Sequence, residues 1–94
     1  MNKILNNLGL CMRAGGLISG EEFVVEGIAN QSVKLVFLAN DASNNAKKLI
    51  NDKAKYYNVE VNEDYSSAEL SQAIGKFNRK VIGITDARFV KILK

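Results

Sequence analysis

The sequence predicts an α/β fold: a three-layer α/β/α sandwich around a small mixed, largely parallel sheet. Three observations indicate this fold. Helical apolar periodicity alternates with short apolar runs along the whole chain, two of those runs are apolar on both faces, and the chain contains no proline. Alternating helices and strands place helices on both faces of a sheet whose strands run mainly in parallel. We expect one domain over residues 1–94, because a chain of this length forms a single core.

The first two helices flank a glycine-rich turn. Residues 2–13 carry the apolar stripe of an amphipathic helix, and the glycines that follow end it because glycine readily adopts the positive φ of a helix C-cap. Residues 17–19 form a short apolar segment that we expect to be an edge strand. Ser19 and Glu22 have the spacing of a capping box, which predicts a second helix over residues 20–30.

The middle of the chain contains the strongest strand signal. Residues 33–39 read VKLVFLA and are apolar on both faces, as a central strand covered by helices on each side must be. Asp41 and Ser43 are candidate N-caps of a long third helix that continues to Tyr57. The asparagine after Tyr57 ends that helix, and residues 59–61 form a short strand.

The last part of the chain repeats the alternation. Ser66 and Glu69 form a second capping box, which opens a short helix that the glycine after Ile74 terminates. Residues 76–80 are then a basic loop, and residues 81–85, VIGIT, are another buried strand. The aspartate that follows this strand caps the last helix.

Composition excludes several kinds of site. The chain has no His and a single Cys, Cys11, which excludes an intrachain disulfide, a cysteine metal cluster and an imidazole base. Gly15 and Gly20 have the spacing of a phosphate-binding loop, but Glu21 and Glu22 follow where Lys and Ser/Thr are needed. We therefore expect Cys11 to be a buried hydrophobe and the protein to be no enzyme, without metal, cofactor or small-molecule substrate.

Targeting signals are also absent from the sequence. No window approaches the roughly 18 consecutive apolar residues of a membrane span, and the opening stretch lacks the apolar core of a signal peptide. We expect a cytoplasmic protein that does not enter a membrane.

The charge pattern is compatible with nucleic acid. The formal net charge is +3 and the pI is near 9.1, a mild basicity that many unrelated domains share. Part of it lies in the predicted loop, which reads Lys76, Phe77, Asn78, Arg79 and Lys80. Such a loop can hold a phosphate backbone while its aromatic ring meets a base. Alternatively, Phe77 closes the edge of the core and the cations are merely solvated.

Four runs of the sequence follow one another in a specific order: LGLCMRAGGLISGEEFVVEGI, KLVFLANDASNNAKKLINDKAKYYNV, ELSQAIGK and VIGITDARFVK. In these runs, which span essentially its whole length, the chain resembles the bacterial YlxQ-like proteins. These are small members of the kink-turn-binding large-subunit ribosomal protein superfamily. The resemblance implies an α/β/α sandwich and a non-enzymatic role in binding structured RNA, ribosomal or regulatory. The typical ligand is an internal loop with tandem sheared G·A pairs and a sharp backbone bend.

The resemblance assigns the N-terminus of the second helix to RNA recognition. In kink-turn binders this helix opens with Gly-x-Asn-Glu-x-x-Lys, and Gly20 matches its glycine. The chain departs from the rest of the motif, with Glu22, Phe23 and Glu26 at the Asn, Glu and Lys positions. Glu26 replaces attraction by repulsion beside a phosphate, which predicts weaker binding.

Two further contact regions follow from the same resemblance. Residues 76–80 match the family's contact loop before the last strand, and Ser43 and Lys47 match contact positions after the central strand. The acidic second helix leaves an alternative open. With an exposed Phe23, the protein would be a protein–protein adaptor that kept the fold and lost kink-turn recognition. A positive surface split by the acidic residues of the helix would favour that alternative.

Overall fold

The structure is a computed structural model that describes residues 2–94. These residues form α1 (Lys3–Arg13), β1 (Leu17–Ser19), α2 (Glu21–Ala29), β2 (Leu35–Leu38), α3 (Asn44–Tyr56), β3 (Glu60–Asn62), α4 (Ser67–Ile74), β4 (Val81–Ile84) and α5 (Ala87–Leu93). The strands form one mixed sheet in the order β1-β4-β2-β3. Helix α2 packs on α3, whereas α1 packs on α4 and α5, so helices form two groups around the sheet. The predicted α/β sandwich is confirmed.

The direction of β4 corrects one part of the prediction. Strand β2 pairs with β3 in parallel, but β4 lies between β1 and β2 and is antiparallel to both. Strands β1, β2 and β3 therefore share one direction, as their helical connections require. The sheet is mixed, as predicted, but it is not largely parallel, because two of its three strand pairings are antiparallel.

The connection from β3 to β4 explains this direction. Asn40 N–H, after β2, donates to the carbonyl of Tyr65, after β3, and Ala39 N–H donates to the carbonyl of Lys80, just before β4. The chain thus leaves β3 and enters β4 at the same edge of the sheet. Helix α4 has only 8 residues, and Gly75 turns the chain back at φ 69°. A connection that returns to the edge it left produces an antiparallel strand.

The core lies between the sheet and the two groups of helices. Every residue of β2 and β4 is buried, as predicted for strands covered on both faces. The predicted stripe of α1 faces this core, with Leu8 fully buried and its neighbours on the stripe partly buried. Cys11 is also fully buried, and burial, with a smaller contribution from Asp86, raises the pKa of its thiol to about 11. Its prediction as a small buried hydrophobe is confirmed.

Local capping signals set most helix ends. The Ser43 hydroxyl accepts a hydrogen bond from Ala46 N–H at 3.1 Å and caps α3. The predicted capping box of α4 is present, with Ser66 N–H donating to Glu69 Oε1 at 3.0 Å and Glu69 N–H to Ser66 Oγ at 3.2 Å. Asp41, the other candidate cap of α3, instead binds the start of α4. Among the helices of residues 2–94, none is both long and apolar enough to cross a membrane.

Candidate nucleic-acid interface

One edge of the sheet brings together the predicted contact segments. Strands β1, β2 and β3 end at this edge and β4 begins there. Gly20 N–H, directly after β1, donates to the carbonyl of Val81 at 3.0 Å. Ala39 N–H, directly after β2, donates to the carbonyl of Lys80 at 2.7 Å. We call this side of the molecule the carboxyl edge. It contains Gly20, the start of α3 and the loop 76–80.

The start of α2 differs from its prediction. The capping box of Ser19 and Glu22 is wrong, because Ser19 belongs to β1 and pairs with Ile82 of β4. Gly20 is the N-cap, at φ 106° and ψ 139°, a conformation that essentially only glycine adopts. Within residues 2–94, no side chain caps this helix start. Its first N–H groups therefore remain available to an outside acceptor.

Arg79 lies directly beside this helix start. A Cβ placed on Gly20 would lie 3.8 Å from Arg79 Nη1 and 3.5 Å from Cδ2 of Phe23. The two segments that the sequence marks separately, the helix N-terminus and the basic loop, thus meet in one surface. A guanidinium next to open backbone N–H groups is suited to a phosphate, since both donate hydrogen bonds to an anion.

The loop is held in place by a buried serine. The hydroxyl of Ser71, on α4, accepts a hydrogen bond from Arg79 N–H at 2.8 Å and donates one to the Arg79 carbonyl at 3.2 Å. Ser71 is only 7% exposed. The Nε of Arg79 is buried and has no hydrogen-bond partner among the described residues. The backbone of Arg79 is therefore fixed, and the Nη groups, not the buried Nε, are the donors that its guanidinium can offer to an outside ligand.

Phe77 projects from the tip of the same loop. Its side chain is 90% exposed, so the alternative in which it closes the edge of the core is wrong. Its neighbours Lys76 and Asn78 are exposed too, and Asn78 has a left-handed backbone with φ 53°. A largely exposed ring next to a cation, here Lys76, is a common arrangement for stacking on a nucleobase.

The start of α3 completes the carboxyl edge. Ser43 is exposed, although its hydroxyl already accepts the capping hydrogen bond, and Lys47 is half-buried one turn later. Asp41 accepts hydrogen bonds from the hydroxyl and the N–H of Ser67, both at 2.8 Å. These bonds, helped by the nearby ammonium of Lys80, lower the pKa of the Asp41 carboxyl. Lys80 thus lies close enough to α3 and α4 to share this edge.

Acidic side chains of α2 lie next to the cations of the basic loop. Glu22 and Glu26 are exposed on α2, and with Leu49 of α3 they line a shallow groove. Phe23, between them in sequence, is 66% exposed. The carboxyl edge is therefore positive around Arg79 and negative along α2. The structure brings Gly20 and the basic loop together, but Glu26 lies on the side of α2 that faces Leu49.

Two residues of the site escaped the sequence reasoning. Ser71 lies in α4 between the buried Leu70 and Ile74, and a polar residue on a buried helical face was the signal that could have identified it. The sequence predicts Asp41 only as a candidate cap of α3, because its partner Ser67 is distant in sequence. Among residues 2–94, no group of three or more His, Cys, Asp or Glu side chains could hold a metal ion.

Comparison with known proteins gives consistent matches. The model of the ribosomal protein L7Ae/L30e/S12e/Gadd45 family matches residues 2–94. The RNA-binding protein YlxQ of Enterococcus faecium is 52% identical over 92 residues, which cover 98% of this chain and 88% of that protein. The RNA-binding protein YlxQ of Bacillus subtilis is 43% identical over 86 residues, covering 92% and 86%. A solved structure of a protein of unknown function from Bacillus halodurans C superimposes with a TM-score of 0.95 at 42% identity, covering 99% and 94%.

Proposed function

The chain belongs to the ribosomal protein L7Ae/L30e/S12e/Gadd45 family, and from that premise we propose that it is a non-enzymatic RNA-binding protein. The ligand is structured RNA of the kink-turn type, in ribosomal or regulatory RNA of the cytoplasm. Two relatives that are 52% and 43% identical carry the name of RNA-binding proteins. Both names agree with the absence of catalytic groups expected from the sequence.

The observation that carries the proposal is the position of Arg79. Its Nη1 lies 3.8 Å from the point where a Cβ on Gly20 would lie, so one guanidinium joins the helix N-terminus to the basic loop. A backbone bend in RNA brings phosphates close together. A guanidinium clustered with free backbone N–H groups can neutralise the negative charge of these phosphates. Phe77 adds an exposed ring for an unpaired base, which is how proteins read single-stranded parts of structured RNA.

The remaining assigned residues take supporting roles in this proposal. Lys76 and Lys80 contribute charge at either end of the loop, and Ser43 and Lys47 extend the surface along α3. Glu22 and Glu26 limit the affinity, because a carboxylate repels phosphates within about a Debye length, ~8–10 Å at physiological salt. Recognition then depends more on the loop than on the side chains of α2.

The test is a titration into a labelled kink-turn RNA between about 50 and 200 mM salt, with a second RNA lacking the G·A pairs. Tight binding of the first RNA and weak binding of the second would support kink-turn recognition. Equal, steeply salt-dependent binding of both would leave RNA binding in place but remove the specificity. No binding of either RNA at low salt would contradict the proposal.

A protein–protein adaptor is the second candidate, favoured by one observation. Phe23 is 66% exposed on the acidic helix α2, and exposed aromatic side chains are common anchors of protein interfaces. The adaptor would gain support only if neither RNA binds at low salt. In that case Phe23→Ala should abolish association with the protein partner. If the protein has no such partner, the substitution should change no measurable association.

A further inference from the structure

A groove lies on the far side of the basic loop, between this loop and α4. Its volume is about 540 Å³, within the ~300–1,000 Å³ range of ligand clefts. The lining residues are Ser67, Ala68, Ser71, Gln72, Gly75, Lys76, Phe77 and Asn78. Neither the helix N-terminus of α2 nor the start of α3 contributes to it. The groove is therefore a separate surface that shares only the loop with the carboxyl edge.

The chemistry of the groove matches a nucleobase. Phe77, 90% exposed, offers a ring face for stacking. The exposed amides of Gln72 and Asn78 can each donate and accept hydrogen bonds, as the edge of an unpaired base requires. Lys76 supplies a cation for the phosphate that joins such a base to the rest of the strand. No carboxylate is among the lining residues that the structure describes.

The groove is also rigidly joined to the surface proposed to hold RNA. Ser71 forms part of its floor and, through its two hydrogen bonds, fixes the backbone of Arg79. Phe77 lies two residues before Arg79 in the same loop, so a strand held at Arg79 has this ring within reach. The groove therefore adjoins the proposed interface through the shared loop and the contact between Ser71 and Arg79.

We propose that this groove binds an unpaired nucleotide flanking the structured RNA element, with its base stacked on Phe77 and its edge contacted by Gln72 and Asn78. The inference rests on the proposed function, since the element must first be held at the carboxyl edge. It extends the footprint from the folded element to a single-stranded flank. Because base stacking is tolerant of sequence, we expect little preference among the four bases.

The experiment compares three kinds of RNA with the same kink-turn element. The first kind ends at the element. The second carries a short unpaired flank, placed at one strand end or at the other. The third carries the same flank built from abasic nucleotides. The abasic flank keeps the phosphate charge and removes only the bases. We expect the normal flank to bind at least about fivefold more tightly than the abasic flank from one of the two ends.

Variants locate the effect in the groove. Phe77→Ala should bring the ratio of the two affinities close to one, and Phe77→Trp should restore it. Tyr56→Ala removes another aromatic ring, 80% exposed at the end of α3, and should leave the ratio unchanged. A melting curve for each variant confirms folding, which is expected because both rings are largely in solvent.

The outcomes separate this inference from the proposed function. Equal affinities of the normal and abasic flanks, or a ratio that survives Phe77→Ala, would overturn the inference while RNA binding stands. No binding of any of the three RNAs would overturn the proposed function, and the inference with it.

Discussion

The side chain of Ser71 holds the backbone of Arg79 from both sides, accepting from its N–H at 2.8 Å and donating to its carbonyl at 3.2 Å. This one hydroxyl replaces the strand pairing that Arg79, just before β4, does not have. It also explains how a loop with three cations can be ordered in spite of their mutual repulsion. The conformation of the basic loop is thus determined from inside α4, by a residue that does not need to touch the ligand.

Replacing Ser71 with alanine should therefore affect both stability and RNA binding. The substitution leaves a buried N–H and carbonyl unpaired, which we expect to lower the free energy of unfolding by about 1–2 kcal/mol. Kink-turn affinity should fall as well, because the guanidinium of Arg79 loses its fixed support. Urea denaturation and RNA titration measure the two effects. Ser71→Thr, which keeps the hydroxyl, is the control, and a stability loss with unchanged affinity would limit Ser71 to a structural role.

Removing the two cations next to β4 tests the loop directly. The double substitution Arg79→Ala and Lys80→Ala should weaken RNA binding and flatten its salt dependence, by about one unit of log–log slope for each phosphate that the variant no longer neutralises. Titrations at several salt concentrations measure the slope. The matched control is Lys91→Ala with Lys94→Ala, which removes the same charge from two exposed lysines at the end of α5 and its C-cap, outside the predicted contact segments. An unchanged slope in the Arg79 and Lys80 variant would remove the loop from the interface.

The structure also shows which signals in the sequence were sufficient. The caps at Ser43 and Ser66 were predicted because each hydrogen bond spans only 3 residues, so the pattern is complete within a short window. The same reasoning failed at Ser19, where pairing with Ile82 draws the serine into β1. Strand pairing with β4 outweighed the local capping pattern, and Gly20 is the N-cap of α2 instead.

The parts of the site that the sequence could not predict depend on distant contacts. The resemblance assigned Gly20 and the basic loop to RNA, but their proximity follows only from the insertion of β4 beside β1. The direction of β4 in turn follows from the return of the chain to the carboxyl edge, where Ala39 N–H donates to the Lys80 carbonyl. Exposure of Phe77 was undecided for the same reason, since an apolar residue in a loop can face either way until the neighbouring elements are placed.

Charge reversal on α2 tests whether this helix faces RNA. Glu26→Lys exchanges an exposed carboxylate for an ammonium, and we expect severalfold tighter binding of kink-turn RNA at low salt, with the gain shrinking as salt rises. Glu60→Lys, the same exchange on the exposed first residue of β3, is the control for a general increase in charge. If both variants gain equally, or neither gains at low salt, α2 is not the docking face.

The link between Asp41 and Ser67 predicts a pH-dependent contribution to stability. Two hydrogen bonds from Ser67, from its hydroxyl and its N–H, lower the pKa of the Asp41 carboxyl below its ordinary value of 3.8. Since the folded state favours the ionised form, the stabilisation is fully present above the unfolded value and is lost as pH falls through the lower folded value. Wild type should therefore exceed Asp41→Asn in stability at neutral pH, and the difference should shrink below about pH 4.

Urea denaturation of both proteins over a series of pH values measures this difference directly. Asp64→Asn removes the same charge from an exposed side chain in the turn after β3 and corrects for the change in net charge. The excess loss in Asp41→Asn over this control belongs to the contacts with Ser67, because both variants otherwise change the same chemical group. A difference that stays constant down to pH 3, or that grows as pH falls, would contradict the assignment. The hydrogen bonds between Asp41 and Ser67 would then not depend on the charge of the carboxyl group, and a protonated Asp41 would stabilise the carboxyl edge equally well.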